Sequence, residues 1–319
     1  MMRAFFITLS KLSWAQRLIT AMPPAQRAAA RFIAGETHAD AIQAVRGLNA
    51  RGMVASLDHL GENTSDEHSA RQAAQEIVVI LDAIEQNRVC ANVSIKLSQL
   101  GLAFREELCR QNLVTILEKA RSANNFIRID MEDSTLTQKT LDTFFWARLN
   151  GYSHVGIVIQ AYLYRSEADI RLLAESGAHV RLCKGAYKEP PHLAFPKIED
   201  VNINFDRLAG SLLASAFANG MPEISADGRV PPMAAIATHD EKRIHFARQQ
   251  AERLGLPKRA VEFQMLYGIR RDLQEKLAAQ GYPVRVYVPY GKHWYPYFMR
   301  RLAERPANVW FLLSNVLRR

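Results

Sequence analysis

From residue 51 onward the hydrophobic and polar positions repeat as one unit. A short β-branched or apolar run comes first, and a longer segment with apolar residues at helical spacing follows it. MVASLDHL precedes the helical segment Ser65 to Asn87, NVSIKLS precedes Phe104 to Ala123, FIRIDM precedes Leu136 to Leu149, and VGIVIQAY precedes Ser166 to Glu175. HVRLCKG then precedes Val201 to Ala218, MAAIATH precedes Glu241 to Gly255, VEFQML precedes Ile269 to Gln280, and VRVYVPY precedes the stretch PYGKHWYPYFMRRLAERP. Eight strand segments thus alternate with eight helical ones. Such alternation implies parallel strands joined by helical crossovers, in an open doubly wound sheet or a closed eightfold barrel. Eight repeats over roughly 270 residues match the usual size of the barrel. Neither GxGxxG nor GxxxxGK[ST] follows a strand, so the common phosphate signatures of the open sheet are missing and the barrel is the expected fold.

Ahead of the repeats, residues 1 to 35 carry Arg3, Lys11, Arg17, Arg27 and Arg31 and no acidic residue. A basic, acid-poor start is also the mark of an organellar presequence. An amphipathic helical arm packed on the domain is the simpler expectation. The Pro-rich stretches KEPPHLAFPKIED and GMPEISADGRVPP fall inside single connections and read as loops, not boundaries. The expected organisation is an arm over residues 1–50 and one catalytic barrel over residues 51–319.

Composition changes this picture little. The chain is 48% hydrophobic and 23% charged, which excludes disordered and fibrous classes, and no apolar run approaches the roughly 20 residues that span a bilayer. Cys90, Cys109 and Cys183 are odd in number and lack CxxC spacing, so neither a disulfide framework nor a zinc site is expected, and a reducing intracellular setting is. The nine histidines show no HxH, HxxxH or HExxH spacing, and no metal is expected. A net charge of +9 favours contact with something anionic without choosing between nucleic acid, a lipid surface, a phosphorylated cofactor and a carboxylate.

A barrel of this kind places its chemistry where strands end. The ends supply Asp58 and His59, Lys96, Asp130 with Met131, Gln160, Arg181 and Lys184, Thr238 and His239, Gln264, and Tyr287. Singly these read as caps or surface charges, but together they place both signs of charge at one mouth. Lys184, Gly185 and Ala186 form a small-residue loop whose backbone N–H groups suit a phosphate. Arg300 and Arg301 lie about 100° apart on a helix and share one small anion only if it sits between their directions. Glu304 falls on the same face as each arginine and is expected to hold them. Guanidinium forks suit a carboxylate, and Tyr287, Tyr297 and their aromatic neighbours provide an apolar wall beside them.

These same residues carry a family resemblance through nearly the whole chain. ARFIAGET, SIKLSQLGL, IRIDMEDS, VGIVIQAYLYRSEADI, VRLCKGAYKEP, ATHD, EFQMLYGIRRDLQ and VYVPYGKHWYPYFMRRLAERP, in that order, resemble the monofunctional bacterial proline dehydrogenases. The resemblance implies a distorted (βα)8 TIM-type barrel carrying FAD, which oxidises L-proline to Δ1-pyrroline-5-carboxylate and passes electrons to a membrane quinone. It implies Asp130, Arg181 and Tyr287 as the catalytic set, with Arg181 near the reactive flavin nitrogen and Asp130 holding Lys96 or a water. It implies Lys96, Arg300, Arg301, Tyr187 and Tyr297 at the substrate, and Met131, Gln160, Lys184, Gly185, Ala186, Thr238 and His239 at FAD. Two features depart from the pattern: Cys183 stands where the family usually has an aliphatic residue, and the Gly220 to Pro232 segment looks longer.

Resemblance to the monofunctional members also implies a separate pyrroline-5-carboxylate dehydrogenase downstream. A cytoplasmic location follows, with peripheral association on the inner face of the membrane as the expected contact with the quinone. Two rival readings are a methylenetetrahydrofolate reductase, whose flavin would bleach with NADH but not proline, and a basic nucleic-acid-binding module. The second needs a contiguous outer basic stripe, whereas the cations here gather at strand ends, so no nucleic-acid partner is expected.

Overall fold

The computed structural model describes residues 12–61 and 64–304, apart from the side chains of Ser13, Trp14 and Glu304. Eight parallel strands close into a barrel in sequence order. They are β1 Val54–His59, β2 Ala91–Ile95, β3 Ile127–Ile129, β4 Val155–Gln160, β5 Val180–Cys183, β6 Ala234–Ala237, β7 Val261–Leu266 and β8 Val284–Tyr290. β8 closes on β1, with Ser56 opposite Tyr287 and Asp58 opposite Pro289. Helices α1 Ser13–Ala21, α2 Pro23–Ala29 and α3 His38–Asn49 precede β1. The crossovers are α4 Glu67–Asn87, α5 Glu106–Ser122, α6 Ser134–Leu149, α7 Ser166–Glu175, α8 Ile198–Ala218, α9 Glu241–Arg253 and α10 Arg271–Ala279, and α11 Trp294–Glu304 follows β8.

β7 and β8 match the runs that predict them, and the other six strands are shorter. FIRIDM keeps only Ile127–Ile129 and MAAIATH only Ala234–Ala237, because Asp130, Met131, Thr238 and His239 leave the ladder at the mouth. Along each strand the period of two separates two environments. Ala55, Leu57, Val93 and Ile95 join Ile77, Ile80, Leu81 and Ile84 of α4 in one apolar core outside the barrel. Many of the alternate, inward residues are polar: Ser56 and Ser94 touch at 2.9 Å on the neighbouring strands β1 and β2. Arg128 and Arg285 are wholly buried there.

That polar lumen is sealed at its N-terminal end by the long Gly220 to Pro232 loop. Arg285 donates from Nη2 to Gly228 O at 2.8 Å and to Ala55 O from Nη1 at 2.8 Å, while its Nε and Nη2 meet Glu262 at 2.9 and 3.0 Å. Asn92 donates to Arg229 O at 3.1 Å. Gly228 has φ +69°, and a Cβ there would stand 2.5 Å from the Val54 side chain, so the loop enters only as glycine. Arg285→Met should therefore destabilise the protein by about 3–5 kcal/mol, because Glu262 is left buried and unpaired. Urea unfolding measures it, and an unchanged midpoint would mean the pair does not hold the plug.

The eighth helical place in the outer ring is filled from the N-terminal side. α3 packs on β1 and β8 through Ala41, Ile42, Val45 and Leu48, which belong to the main core. α11 instead lies at the mouth, where Trp294, Tyr295, Phe298, Met299 and Leu302 pack with Ala15, Ala29, Phe32 and Ile33 of the arm. The chain reverses after β8 at Gly291, φ +120°, and the Trp294 indole donates to Glu36 at 3.0 Å. The closed eightfold barrel is the fold expected from the sequence, and its last helix is folded over the mouth. It brings both arginines of α11 to the strand ends.

Candidate active site

One cavity of about 420 Å³ opens at the C-terminal mouth, and all fifteen candidate residues border it. Lys96, Asp130, Met131, Gln160, Lys184, Gly185, Ala186, Tyr187, Thr238 and His239 reach it from strand ends and the loops beyond. Arg181 and Tyr287 reach it from inside β5 and β8, as Gln264 does from β7, so these three are inward-facing strand residues and not strand ends as read from the sequence. Tyr297, Arg300 and Arg301 close it from α11. Asp58, Val158, Cys183, Ala237, Met265 and Leu266 complete the wall, which places Cys183 at the site.

A second cavity, about 650 Å³, lies beside it under the arm, between Glu36, His38, His59 and Glu76. Tyr297 and Arg300 border both spaces, while Arg301 borders only the smaller one and sits over the Tyr297 ring at 5.1 Å. The two arginines are therefore not equivalent. Glu304, expected to hold them, has its side chain outside the described residues.

The ionic groups of the smaller cavity form a connected ring. Lys96 Nζ donates to Asp58 Oδ1 at 2.7 Å and to the Tyr287 hydroxyl at 3.3 Å. Tyr287 donates to Asp130 Oδ2 at 2.7 Å. Arg181 Nη1 donates to Asp130 Oδ1 at 2.8 Å, and its Nη2 donates to Ser94 and Ser56 at 3.1 and 3.3 Å. Asp130, expected to hold Lys96 or a water, pairs with Lys96 only at 3.9 Å, and the close carboxylate on Lys96 is Asp58. Burial raises the Asp130 carboxyl above the usual range, with Arg181 and Lys96 opposing the shift. Burial, with Asp130 and Asp58 adding to it, keeps Tyr287 protonated and a donor. Burial also pushes the Cys183 thiol up to about 12, so it is no nucleophile at neutral pH.

Ser56 and Ser94, which steady Arg181, escape a reading confined to strand ends. Period-two phasing with Asp58 and Lys96 is the signal that points both inward. On the opposite wall, His239 Nε2 accepts from Leu266 N at 3.0 Å, which assigns the ring proton to Nδ1. Thr238 accepts from Asp240 N at 3.1 Å at the start of α9, and Gln160 donates to Glu132 O at 2.7 Å. Lys184 meets Asp240 at 2.7 Å. Among the described residues no group of His, Cys, Asp and Glu is placed to hold a metal.

A closed parallel barrel with ionisable groups of both signs converging at its mouth defines an enzyme of the α/β-barrel class. The chain belongs to the proline dehydrogenase family, whose profile matches residues 41–313. It is 38% identical to proline dehydrogenase 2 of Bacillus subtilis over 99% of both chains. It is 40% identical to the proline dehydrogenase of Deinococcus radiodurans over 91% of this chain and 90% of that one. Among solved structures it is similar to proline utilization A of Bdellovibrio bacteriovorus inactivated by N-propargylglycine, with TM-score 0.77 at 24% identity. That likeness in fold covers 88% of this chain and 33% of the other.

Proposed function

We propose that this protein oxidises L-proline to Δ1-pyrroline-5-carboxylate with FAD as its cofactor and a membrane quinone as electron acceptor. The observation that carries the reading is the convergence of Lys96, Arg300 and Arg301 with Asp130, Arg181 and Tyr287 on one cavity of about 420 Å³. In the reaction the ring carbon beside nitrogen gives up a hydride to the bound two-electron acceptor, and the nitrogen gives up a proton to solvent. Lys96, Arg300 and Arg301 bind the carboxylate and fix which ring carbon faces the reaction partner. Tyr187, Tyr287 and Tyr297 border the ring and exclude water. Asp130 holds the Arg181 guanidinium and the Tyr287 hydroxyl in place.

The donor set fits a flavin dinucleotide. Arg181 borders the cavity and carries a buried Nε with no hydrogen-bond partner among the described residues, so its guanidinium brings a positive charge to the site that suits an electron-rich ring. Lys184, the Gly185–Ala186 backbone and the α9 N-terminus with Thr238 and His239 suit the diphosphate. Met131 and Gln160 would border the same group. When bound, the flavin supplies the two-electron acceptor that no side chain can provide. Arg181, a positive charge bordering the cavity, would favour the reduced form of such an acceptor.

Gly185 has φ +110°, and a Cβ on it would stand 2.2 Å from the Tyr162 ring. Gly185→Ala should therefore deform the diphosphate loop at a cost of about 1–3 kcal/mol and lower flavin occupancy at limiting FAD. The ratio of flavin to protein absorbance reads it, and full occupancy would remove the loop from that role.

No helix among the described residues is long and apolar enough to cross a membrane. With a net charge of +9, peripheral docking of the cytoplasmic protein on the anionic inner face of the membrane would bring it to the quinone. The product then passes to a separate dehydrogenase. The test is the loaded protein with L-proline and a soluble quinone: pyrroline-5-carboxylate and reduced quinone should appear in equal amounts. Oxidation of NADH with proline untouched would reverse the assignment toward a folate-reducing barrel.

A further inference from the structure

We infer that Asp58 is the positioning residue for Lys96, and that the grip of the cavity on the substrate carboxylate depends on this buried acid. The inference rests on the assignment of Lys96 to that carboxylate. Asp58 is 1% exposed, inward on β1, and its Oδ1 receives the Lys96 ammonium at 2.7 Å. Its Oδ2 has no hydrogen-bond partner among the described residues. A buried carboxylate with one unsatisfied oxygen is costly to keep, and nothing about closing β1 against β2 requires it, since Ser56 and Ser94 make that contact two residues deeper.

What Asp58 does is divide the ring of charges. Asp130 already receives Arg181 and Tyr287, and with only Asp130 as counter-charge Lys96 would swing from its present 3.9 Å onto Asp130 and displace Tyr287. Asp58 holds the ammonium on the β1 side instead, while Lys96 also donates to the Tyr287 hydroxyl. The result is one fixed cation on the cavity wall, separate from the Arg181–Asp130 pair. Its charge borders the same space as Arg300 and Arg301. Asp58 touches the substrate only through Lys96.

The test is a double-mutant cycle read by calorimetric binding of cyclopentanecarboxylate to the flavin-loaded protein. This probe carries the ring and carboxylate of the substrate without its amine. Asp58→Asn should weaken binding about tenfold, the worth of one charged hydrogen bond, and Lys96→Met by at least as much. The double variant should bind no worse than Lys96→Met alone. Asp58→Ser supplies the same reading should the Asn variant fold poorly, and pyrrolidine, which has the ring but no carboxylate, should bind all variants alike. Losses that multiply in the double variant, or an Asp58→Asn variant with unchanged affinity, would overturn the inference. If Lys96→Met alone binds normally, the carboxylate assignment of Lys96 fails, and the role of Asp58 fails with it.

Discussion

Arg301→Met should raise the KM for L-proline by about 10- to 100-fold while flavin stays bound and kcat changes little. Arg301 is 8% exposed and borders the smaller cavity alone, stacked on Tyr297. A charged hydrogen bond contributes roughly 1.5–3 kcal/mol, and every 1.4 kcal/mol is a factor of ten in affinity. Loss of a grip made equally before and during reaction appears in KM and not in kcat. Arg300→Met should act in the same direction but less, because Arg300 stands between the two cavities and is only half-buried. Steady-state kinetics over a range of proline concentrations decides this. Equal KM values in both variants and the parent protein would remove the arginines from the carboxylate site.

Arg181→Met should have the opposite signature, with kcat lower by about 10²–10³ and a smaller change in KM. The guanidinium carries two separable functions in this geometry. It offsets the burial of Asp130 through a 2.8 Å contact, and it places a positive charge on the cavity wall. Losing it leaves Asp130 desolvated with Lys96 as the remaining nearby cation. Its carboxyl then shifts further up, and the hydrogen bond from Tyr287 no longer meets a full negative charge. Rapid-mixing reduction by proline separates this from slow product release. A reduction rate within a fewfold of the parent would show that no charge develops beside Arg181.

The barrel was legible in the chain because eight strand-like runs alternate with eight helical ones, and β1, β2, β3, β7 and β8 also alternate a helix-facing apolar residue with an inward polar one. Asp58, Lys96, Asp130 and Tyr287 keep that phase, so their convergence could be read from spacing. The partnership within the ring could not. Whether Lys96 meets Asp58 or Asp130 depends on the stagger between β1, β2 and β3, and stagger is set by closure of the whole sheet, which no local pattern encodes. The same limit hid Ser56 and Ser94 as supports of Arg181. The place of α3 in the outer ring was also invisible, since its apolar face fits an arm as well as a barrel flank, and only the turn at Gly291 that sends α11 over the mouth leaves the flank open. The length of the Gly220 to Pro232 loop looked like a departure without purpose. Its contacts with Arg285 and Asn92 show it sealing a lumen filled with charged side chains where most barrels hold aliphatic ones.

The most direct measurement is the visible spectrum of the flavin-loaded protein under anaerobic titration with L-proline. Bleaching of the flavin band by L-proline, and not by pyrrolidine or NADH at the same concentration, is the predicted result. A spectrum that stays unchanged with L-proline would contradict the account, however well the cavity is formed.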